Sequence, residues 1–231
     1  MITAQIATIP EREASCEEVI KSLLPQVDKI RIALNNYSKD GAFYKPSWLN
    51  DPKIEVIYSD NKLMDGYKFL KADTNEGYTL ICDDDILYPP DFASVMVHFI
   101  KTVPHPSIIS IMGKNLLPRP MESYAKGQHE FFRAMERHTQ FYEVELIGMC
   151  GAIYDNNHVK INETDMVIRD SDVCVSVWAK QNKIRKYVIP HDADWCQDLS
   201  HLNPSDTPTM WLHNLLEKRD LRITKYINQH L

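Results

Sequence analysis

The sequence lacks the features that would place the chain in a membrane or in an oxidising compartment. No stretch approaches the roughly 18 to 20 consecutive apolar residues that a membrane-spanning helix needs. Residues 1–13 lack the basic segment and the long apolar segment of a signal peptide. The 5 cysteines are widely spaced and form no Cys-x-x-Cys pair, which disfavours both a disulfide framework and a zinc site. We therefore expect a cytoplasmic protein with no transmembrane segment.

Positive charge is also in short supply, with 26 Lys and Arg residues against 32 Asp and Glu residues and a net charge of −6. Broad nucleic-acid binding depends on a basic surface, so the composition disfavours nucleic acid as a partner. The exception would be a local basic patch formed by Lys114, Arg119, Lys126, Arg133 and Arg137. No glycine-rich basic loop follows the first apolar run, and this absence disfavours a nucleotidyltransferase.

The sequence does contain a regular alternation of short apolar runs with helical or loop connections. Strands are predicted at residues 3–9, 29–34, 54–58 and 78–82, and residues 15–24 have apolar side chains at helical spacing. With 231 residues and 44% apolar content, the chain is long enough to bury a substantial core. This alternation predicts an α/β fold with a mostly parallel sheet flanked by helices on both faces.

Each of these four strands is followed by a cluster of polar residues. The clusters are Pro10-Glu11-Arg12, Asn35-Asn36, Asp60-Asn61 and Asp83-Asp84-Asp85. In parallel α/β sheets, ligands bind beyond the carboxyl ends of the strands. We therefore expect the four clusters to line a single crevice.

The aspartate triplet stands out because it ends an apolar strand and precedes a Pro-Pro pair. Along an extended segment, Asp83 and Asp85 would point the same way because they are two residues apart. Two carboxylates that close repel each other unless a cation lies between them, and oxygen ligands suit Mg²⁺ or Mn²⁺. Taken alone, three aspartates also fit a solvated acidic turn.

The second half of the sequence is less regular. Residues 114–128 are predicted to form a long loop, which would be either a functional lid or a disordered segment. Residues 170–183 fit both a strand and a helix. Residues 1–205 are predicted to be one domain, and residues 206–231 a C-terminal helical extension packed on it. A docking surface for a partner or for a membrane is the alternative interpretation of that extension.

Six blocks of the sequence, in a fixed order, form a pattern that resembles a known family. The blocks are Ile6-Ala7-Thr8-Ile9-Pro10-Glu11-Arg12; Val27-Asp28-Lys29-Ile30 with Leu34-Asn35-Asn36-Tyr37; Ser59-Asp60-Asn61-Lys62-Leu63 with Asp65-Gly66-Tyr67-Lys68-Phe69; Gly77-Tyr78 with Asp83-Asp84-Asp85-Ile86-Leu87-Tyr88-Pro89-Pro90-Asp91; Ile147-Gly148-Met149-Cys150-Gly151; and Asp172 before Gln181-Asn182-Lys183-Ile184. Together they resemble the nucleotide-sugar-dependent glycosyltransferases of the GT-A fold, in the family 2 group. In particular they resemble the glucuronosyl-transferring domain of bacterial hyaluronan and chondroitin synthases.

The resemblance implies a GT-A (Rossmann-like) fold and a metal-dependent inverting glycosyltransferase. Such an enzyme moves a sugar from a nucleoside-diphosphate sugar, here UDP-linked, to a hydroxyl of a glycan acceptor. The resemblance makes Asp85 the direct ligand of Mn²⁺ or Mg²⁺ and Asp83 a contact to the metal or to the ribose, and it leaves Asp84 the least constrained. A modified nucleobase or a protein side chain is the alternative acceptor. A non-catalytic module that binds nucleotide-sugars is the alternative function.

By the same resemblance, donor-binding residues are spread over three of the strand ends. They are Thr8, Pro10, Arg12, Asp60 and Asp65 for the nucleoside, Lys68 for the diphosphate, and Asp83 and Asp84 of the triplet. A surface position for Arg12 and a helix-face position for Lys68 are the alternatives.

The resemblance also places the catalytic base, which takes the proton of the acceptor hydroxyl, at Asp172, with Asp170 as its rival. It puts Asp172 at the start of a helix, where the helix N-terminus would keep its pKa low unless partial burial raised it. His191 follows the last predicted sheet strand, where many GT-A enzymes have a further metal or diphosphate ligand. A structural role is the alternative for this histidine.

Overall fold

The computed structural model describes residues 1–104, 106–117, 120–127, 129–204 and 217–231. The described α-helices, numbered in chain order, are α1 (Glu13–Leu23), α2 (Phe92–Ile100), α3 (Ser171–Gln181) and α4 (Glu217–His230). Within these ranges, no helix is long and apolar enough to cross a membrane. Arg119 of the predicted basic patch lies outside the described residues, and so does the predicted domain boundary at 205–206.

The main sheet contains eight of the strands, which are numbered in chain order. They are β1 (Ile2–Thr8), β2 (Lys29–Asn35), β5 (Ile54–Ser59), β6 (Tyr78–Ile81), β8 (Ser107–Ser110), β11 (Tyr142–Glu143), β13 (Ala152–Asp155) and β14 (Arg185–Val188). Their order is β11-β14-β8-β13-β6-β1-β2-β5, and only β13 and β11 run against the other six strands of this sheet. The predicted α/β fold with a mostly parallel sheet is confirmed.

Short strands form three smaller sheets beside the main one. They are β3 (Ser38–Lys39) with β4 (Ala42–Phe43), β7 (Ile86–Leu87) with β15 (Gln197–Asp198), and β9 (Gly113–Asn115) between β10 (Glu130–Phe132) and β12 (Leu146–Ile147). The sheet centred on β9 forms part of the candidate site described below.

Alternate residues of the central strands project to opposite faces of the main sheet. On one face, Leu80 and Ile109 belong to a core that includes apolar residues of α1 and α2. On the other face, Ile81 and Ile108 belong to a second core, shared with α3 and α4. Helices therefore cover both faces, as the apolar character of the parallel strands requires.

The segment around Lys114 differs from the expectation of a continuous loop. Gly113–Asn115 is a strand, and Lys114 pairs with Phe131 on one side and Leu146 on the other. The prediction of a loop was wrong at these residues because a strand of three residues is too short to produce a periodic pattern.

The ambiguous segment at residues 170–183 is a helix. Val173, Val175 and Val177 alternate as in a strand, but all three are buried in α3. They are buried together because α3 contacts β12, β14 and α4. Tertiary burial on several sides of the helix therefore outweighs the β-branched preference.

Candidate active site

The carboxyl ends of β1, β2, β5 and β6 meet at one edge of the sheet and open into a cavity of about 660 Å³. Residues 7–12, 35–36, 61 and 83–85 line it, as does Lys68, and we call all of them the strand-end wall. The structure thus brings together residues from all four polar clusters of the sequence. Parallel strands place these segments side by side because their ends share one direction.

Arg12 bridges two of the three aspartates of the triplet. Its Nη1 lies 2.7 Å from Asp84 Oδ1 and 3.0 Å from Asp85 Oδ2. Asp84 is only 4% exposed, so the expectation that it is the least constrained of the three was wrong. The strand ends at Ile81 and residues 84–85 form a turn, so strand alternation does not extend to the triplet.

Lys68 supplies the second positive charge. Its Nζ forms an ion pair with Asp83 and lies 3.4 Å from the carbonyl oxygen of Met149. Although burial lowers the pKa of Lys68, the charges of Asp83 and Asp65 outweigh it and raise that pKa above its ordinary value. Lys68 is therefore a permanently charged group inside the cavity.

The chemistry of the triplet fits a divalent cation. Burial and the charges of Asp84 and Asp83 raise the pKa of Asp85. The negative charges of the triplet therefore repel one another, and a bound cation would relieve this repulsion. The second carboxylate oxygens of Asp83 and Asp85 make no hydrogen bond within the described residues, and these side chains are 28% and 21% exposed. Open carboxylate oxygens in an acidic cluster suit Mg²⁺ or Mn²⁺.

In the parts of the chain that the structure describes, no three His, Cys, Asp or Glu side chains form a complete metal cage. An ion bound at Asp85 and Asp83 would take its other ligands from water and from phosphate oxygens. Mg²⁺ is commonly held in this way, by one or two carboxylates and a substrate's phosphates.

Three further carboxylates line the cavity near the N-terminus of α3, and we call Asp65, Asp170 and Asp172 the α3 wall. Asp170 caps the helix, since its Oδ1 accepts a hydrogen bond from Val173 N at 3.1 Å. Asp65 accepts hydrogen bonds from the backbone and side chain of Ser171, and burial raises its pKa to about 6. Asp65 is thus tied to the start of α3 while it lines the cavity.

Asp172 has the properties of a proton acceptor. Its Oδ1 accepts a hydrogen bond from Met149 N at 2.7 Å, and its other oxygen has no partner within the described residues. Burial, followed by the charge of Asp170, raises the pKa of Asp172 to about 7. Of the two effects expected at this position, desolvation therefore outweighs the helix dipole.

Two residues of the sequence-based set are not among the described residues that line the cavity. Asp60 is exposed and accepts hydrogen bonds from Lys62 N and Tyr67 Oη. The ring nitrogens of His191 lie 3.2 Å from the carbonyl oxygen of Ile111 and 3.0 Å from that of Asp192. The remaining residues of that set all line the cavity: Thr8, Pro10, Arg12, Asp65, Lys68, Asp83, Asp84, Asp85, Asp170 and Asp172.

Lys114, Tyr124 and Phe131 also line the cavity, and we call them the β9 wall. None of the three was among the site residues predicted from the sequence. Lys114 lies on β9 and Phe131 is its partner in register on β10. In the sequence, Tyr124 and Phe131 lie 10 and 17 positions after Lys114, and the fold was needed to join them to it.

No family model matches the sequence, and no curated protein matches it. Solved structures with a similar arrangement include the crystal structure of a mycobacterial protein, which is 11% identical with a TM-score of 0.44. That alignment covers 87% of this chain and 70% of the mycobacterial one. A likeness of this size carries no argument about activity, so the function is inferred from the chemistry of the cavity.

Proposed function

We propose that this chain is a metal-dependent inverting glycosyltransferase with a GT-A fold of the family 2 type. It transfers a sugar from a UDP-linked donor to a hydroxyl of a glycan acceptor. One observation carries the proposal: an acidic cluster with two ion-paired cations shares a single cavity with a carboxylate whose pKa is about 7. The first group suits a nucleoside diphosphate, and the second suits an attacking hydroxyl.

The strand-end wall supports the donor side of the proposal. Arg12 and Lys68 are held in place by the aspartates and present positive charge to the cavity. When bound by Asp85 and Asp83, Mn²⁺ or Mg²⁺ would neutralise the charge that develops on the diphosphate leaving group. Thr8 and Pro10, at the end of β1, are the proposed contacts to the nucleoside.

The α3 wall supports the acceptor side. In an inverting displacement, the acceptor oxygen attacks the anomeric carbon, and the bond from that carbon to the diphosphate oxygen breaks. The proton of the acceptor hydroxyl passes to Asp172, whose free oxygen and pKa of about 7 suit a base at neutral pH. Asp170 is a weaker candidate because it is buried and caps α3.

The test is release of UDP from UDP-sugars in Mn²⁺, compared between the wild type, Asp85→Asn and the control Asp198→Asn. Asp198 is exposed, and asparagine can still accept its hydrogen bond from Ser200 N. We expect metal-dependent release in the wild type and in the control, and a loss of roughly 10²- to 10³-fold in Asp85→Asn. Nucleotide binding without turnover for any donor and acceptor would favour a binding module, and full activity of Asp85→Asn would contradict the metal assignment.

A further inference from the structure

On the β9 wall, the ammonium of Lys114 lies at the cavity and bonds to no oxygen of the described residues. Lys114 is only 9% exposed, and its Nζ lies 3.9 Å from the ring centroid of Tyr124 and 5.3 Å from that of Phe131. Within the described residues it makes no hydrogen bond and no ion pair within 4.0 Å. An ammonium has three donors, and Lys114 lines the cavity, so these donors are open to a ligand there. The arrangement therefore suits a ligand that carries oxygen acceptors.

The charge of Lys114 is nevertheless balanced at longer range. Burial lowers the pKa of Lys114, and the carboxylates of Asp170 and Asp172 act in the opposite direction. The described side chains that line the cavity include seven carboxylates and three cations. On the side of Lys114, the carboxylates of Asp170 and Asp172 repel the phosphodiester backbone of a nucleic acid. An uncharged ligand with many hydroxyl groups fits these charges better.

The backbone of the segment that carries Tyr124 is hydrogen-bonded to the C-terminal helix α4. Thr224 Oγ1 accepts a hydrogen bond from Tyr124 N at 2.8 Å, and Asp220 Oδ1 accepts one from Ala125 N at 2.7 Å. Asn228 Nδ2 donates to the carbonyl oxygen of Met121 at 2.8 Å and completes the attachment. The three helix residues are four positions apart, so they form one stripe along α4.

A wall fixed in this way is organised before a ligand arrives, which reduces the entropic cost of binding. The ring of Phe131 is 39% exposed and remains accessible. The wall therefore combines the ring of Tyr124 on an anchored backbone, the accessible ring of Phe131 and the donors of Lys114, in the same cavity as the proposed base.

We propose that Lys114, Tyr124 and Phe131 form the acceptor subsite and bind an uncharged sugar ring. The aromatic side chains pack against the C–H face of the ring, and Lys114 donates hydrogen bonds to its hydroxyl groups. This inference rests on the proposed function and adds to it the residues that bind the acceptor and the prediction that the acceptor sugar is uncharged. Asp220, Thr224 and Asn228 are positioning residues for this subsite.

The test is direct binding, measured by saturation-transfer NMR in the presence of UDP and Mg²⁺. The probes are the methyl glycosides of glucose, galactose, N-acetylglucosamine and N-acetylgalactosamine, with thymidine and a serine-containing peptide as alternative acceptors. The variants are Lys114→Met and Phe131→Ala, and the matched control is Lys126→Met, since Lys126 is an exposed lysine in the segment that carries Tyr124. Phe131→Ala keeps the test valid if Lys114→Met fails to fold, because Phe131 is partly exposed.

We expect at least one glycoside to bind the wild type and Lys126→Met equally. Its affinity should fall about 10- to 100-fold in Lys114→Met, as for loss of a charged hydrogen bond, and about 10-fold in Phe131→Ala. Binding of thymidine or the peptide in place of a glycoside would overturn the inference. So would a result in which no glycoside binds, or one in which a glycoside binds equally well to the wild type, Lys114→Met and Phe131→Ala.

The glycoside-binding experiment and the UDP-release test of the proposed function can fail independently of each other. If UDP is released but glycoside binding does not depend on Lys114, only the acceptor subsite is overturned. Lys114-dependent glycoside binding without any metal-dependent UDP release would overturn the proposed function and leave a sugar-binding site.

Discussion

The cationic side chains on two walls of the cavity have different kinds of partner. On the strand-end wall, Arg12 is ion-paired with Asp84 and Asp85, and Lys68 is paired with Asp83. On the β9 wall, Lys114 contacts two aromatic rings and forms no ion pair within the described residues. A paired cation presents a fixed charge to a ligand, whereas an unpaired one keeps its hydrogen-bond donors for the ligand. The difference separates the proposed diphosphate site from the proposed sugar site.

The largest expected effect concerns Asp172, the proposed base on the α3 wall. Asp172→Asn should lower kcat roughly 10²- to 10⁴-fold, because asparagine can accept the hydrogen bond from Met149 N but cannot take a proton. Donor affinity, measured by isothermal titration with UDP in Mn²⁺, should change by less than about twofold, since the strand-end wall is untouched. A kcat within a few fold of the wild type would assign the base to Asp170 instead.

The contrast between the two lysines predicts opposite effects on stability. Lys68→Met should lower the free energy of unfolding by about 1–3 kcal/mol, because it leaves Asp83 without its cation. Lys114→Met should leave it within about 0.5 kcal/mol or raise it, since no carboxylate loses an ion pair and methionine keeps contacts with the rings. Urea denaturation at pH 7 measures both. Equal losses of unfolding free energy in Lys68→Met and Lys114→Met would contradict the proposed difference between the two walls.

The pKa of Asp172 predicts the pH dependence of transfer. Because burial raises this pKa to about 7, the base is mostly protonated at pH 6. At saturating Mn²⁺, kcat/KM should rise about tenfold per pH unit below pH 7 and level off above it. A folded-state pKa above the unfolded value also means that stability falls as pH rises from about 4 to 7. A rate that is constant between pH 6 and pH 8 would contradict the assignment.

The smallest expected effect tests the attachment of the β9 wall to α4. Thr224→Val removes the acceptor for Tyr124 N and should raise the acceptor KM about three- to tenfold. Gln229→Ala, at an exposed position of the same helix, should leave the acceptor KM unchanged. A rise in the donor KM that matches the rise in the acceptor KM would indicate general loosening of the fold.

The strand-end half of the molecule was predictable because its parallel strands are short, apolar and regularly spaced. The strand predicted at residues 29–34 is observed as Lys29–Asn35, and the one at 54–58 as Ile54–Ser59. Parallel pairing then dictates that their polar ends meet. The gathering of Arg12, Asn35 and Asp85 around one cavity could therefore be inferred without coordinates.

The β9 wall could not be predicted in the same way. β9 and β10 have three residues each, and Lys114 and Phe131 are joined only by antiparallel pairing. The pKa of Asp172 depends on desolvation by residues distant in sequence. The ion pair of Arg12 with Asp84 likewise joins residues 72 positions apart. Such features depend on tertiary packing, which local patterns do not encode.

We propose that the strand-end wall binds a nucleoside-diphosphate sugar together with a divalent cation. The most direct test is a thermal-shift panel of nucleotide-sugars with and without Mn²⁺, in the wild type and in Asp85→Asn. A ligand at about 100 times its Kd stabilises the folded state by about 2.7 kcal/mol, which is several degrees in Tm for a chain of this size. We predict that a UDP-sugar raises the Tm of the wild type in Mn²⁺ and that Asp85→Asn loses most of this shift. A panel in which no UDP compound raises the Tm would contradict the account.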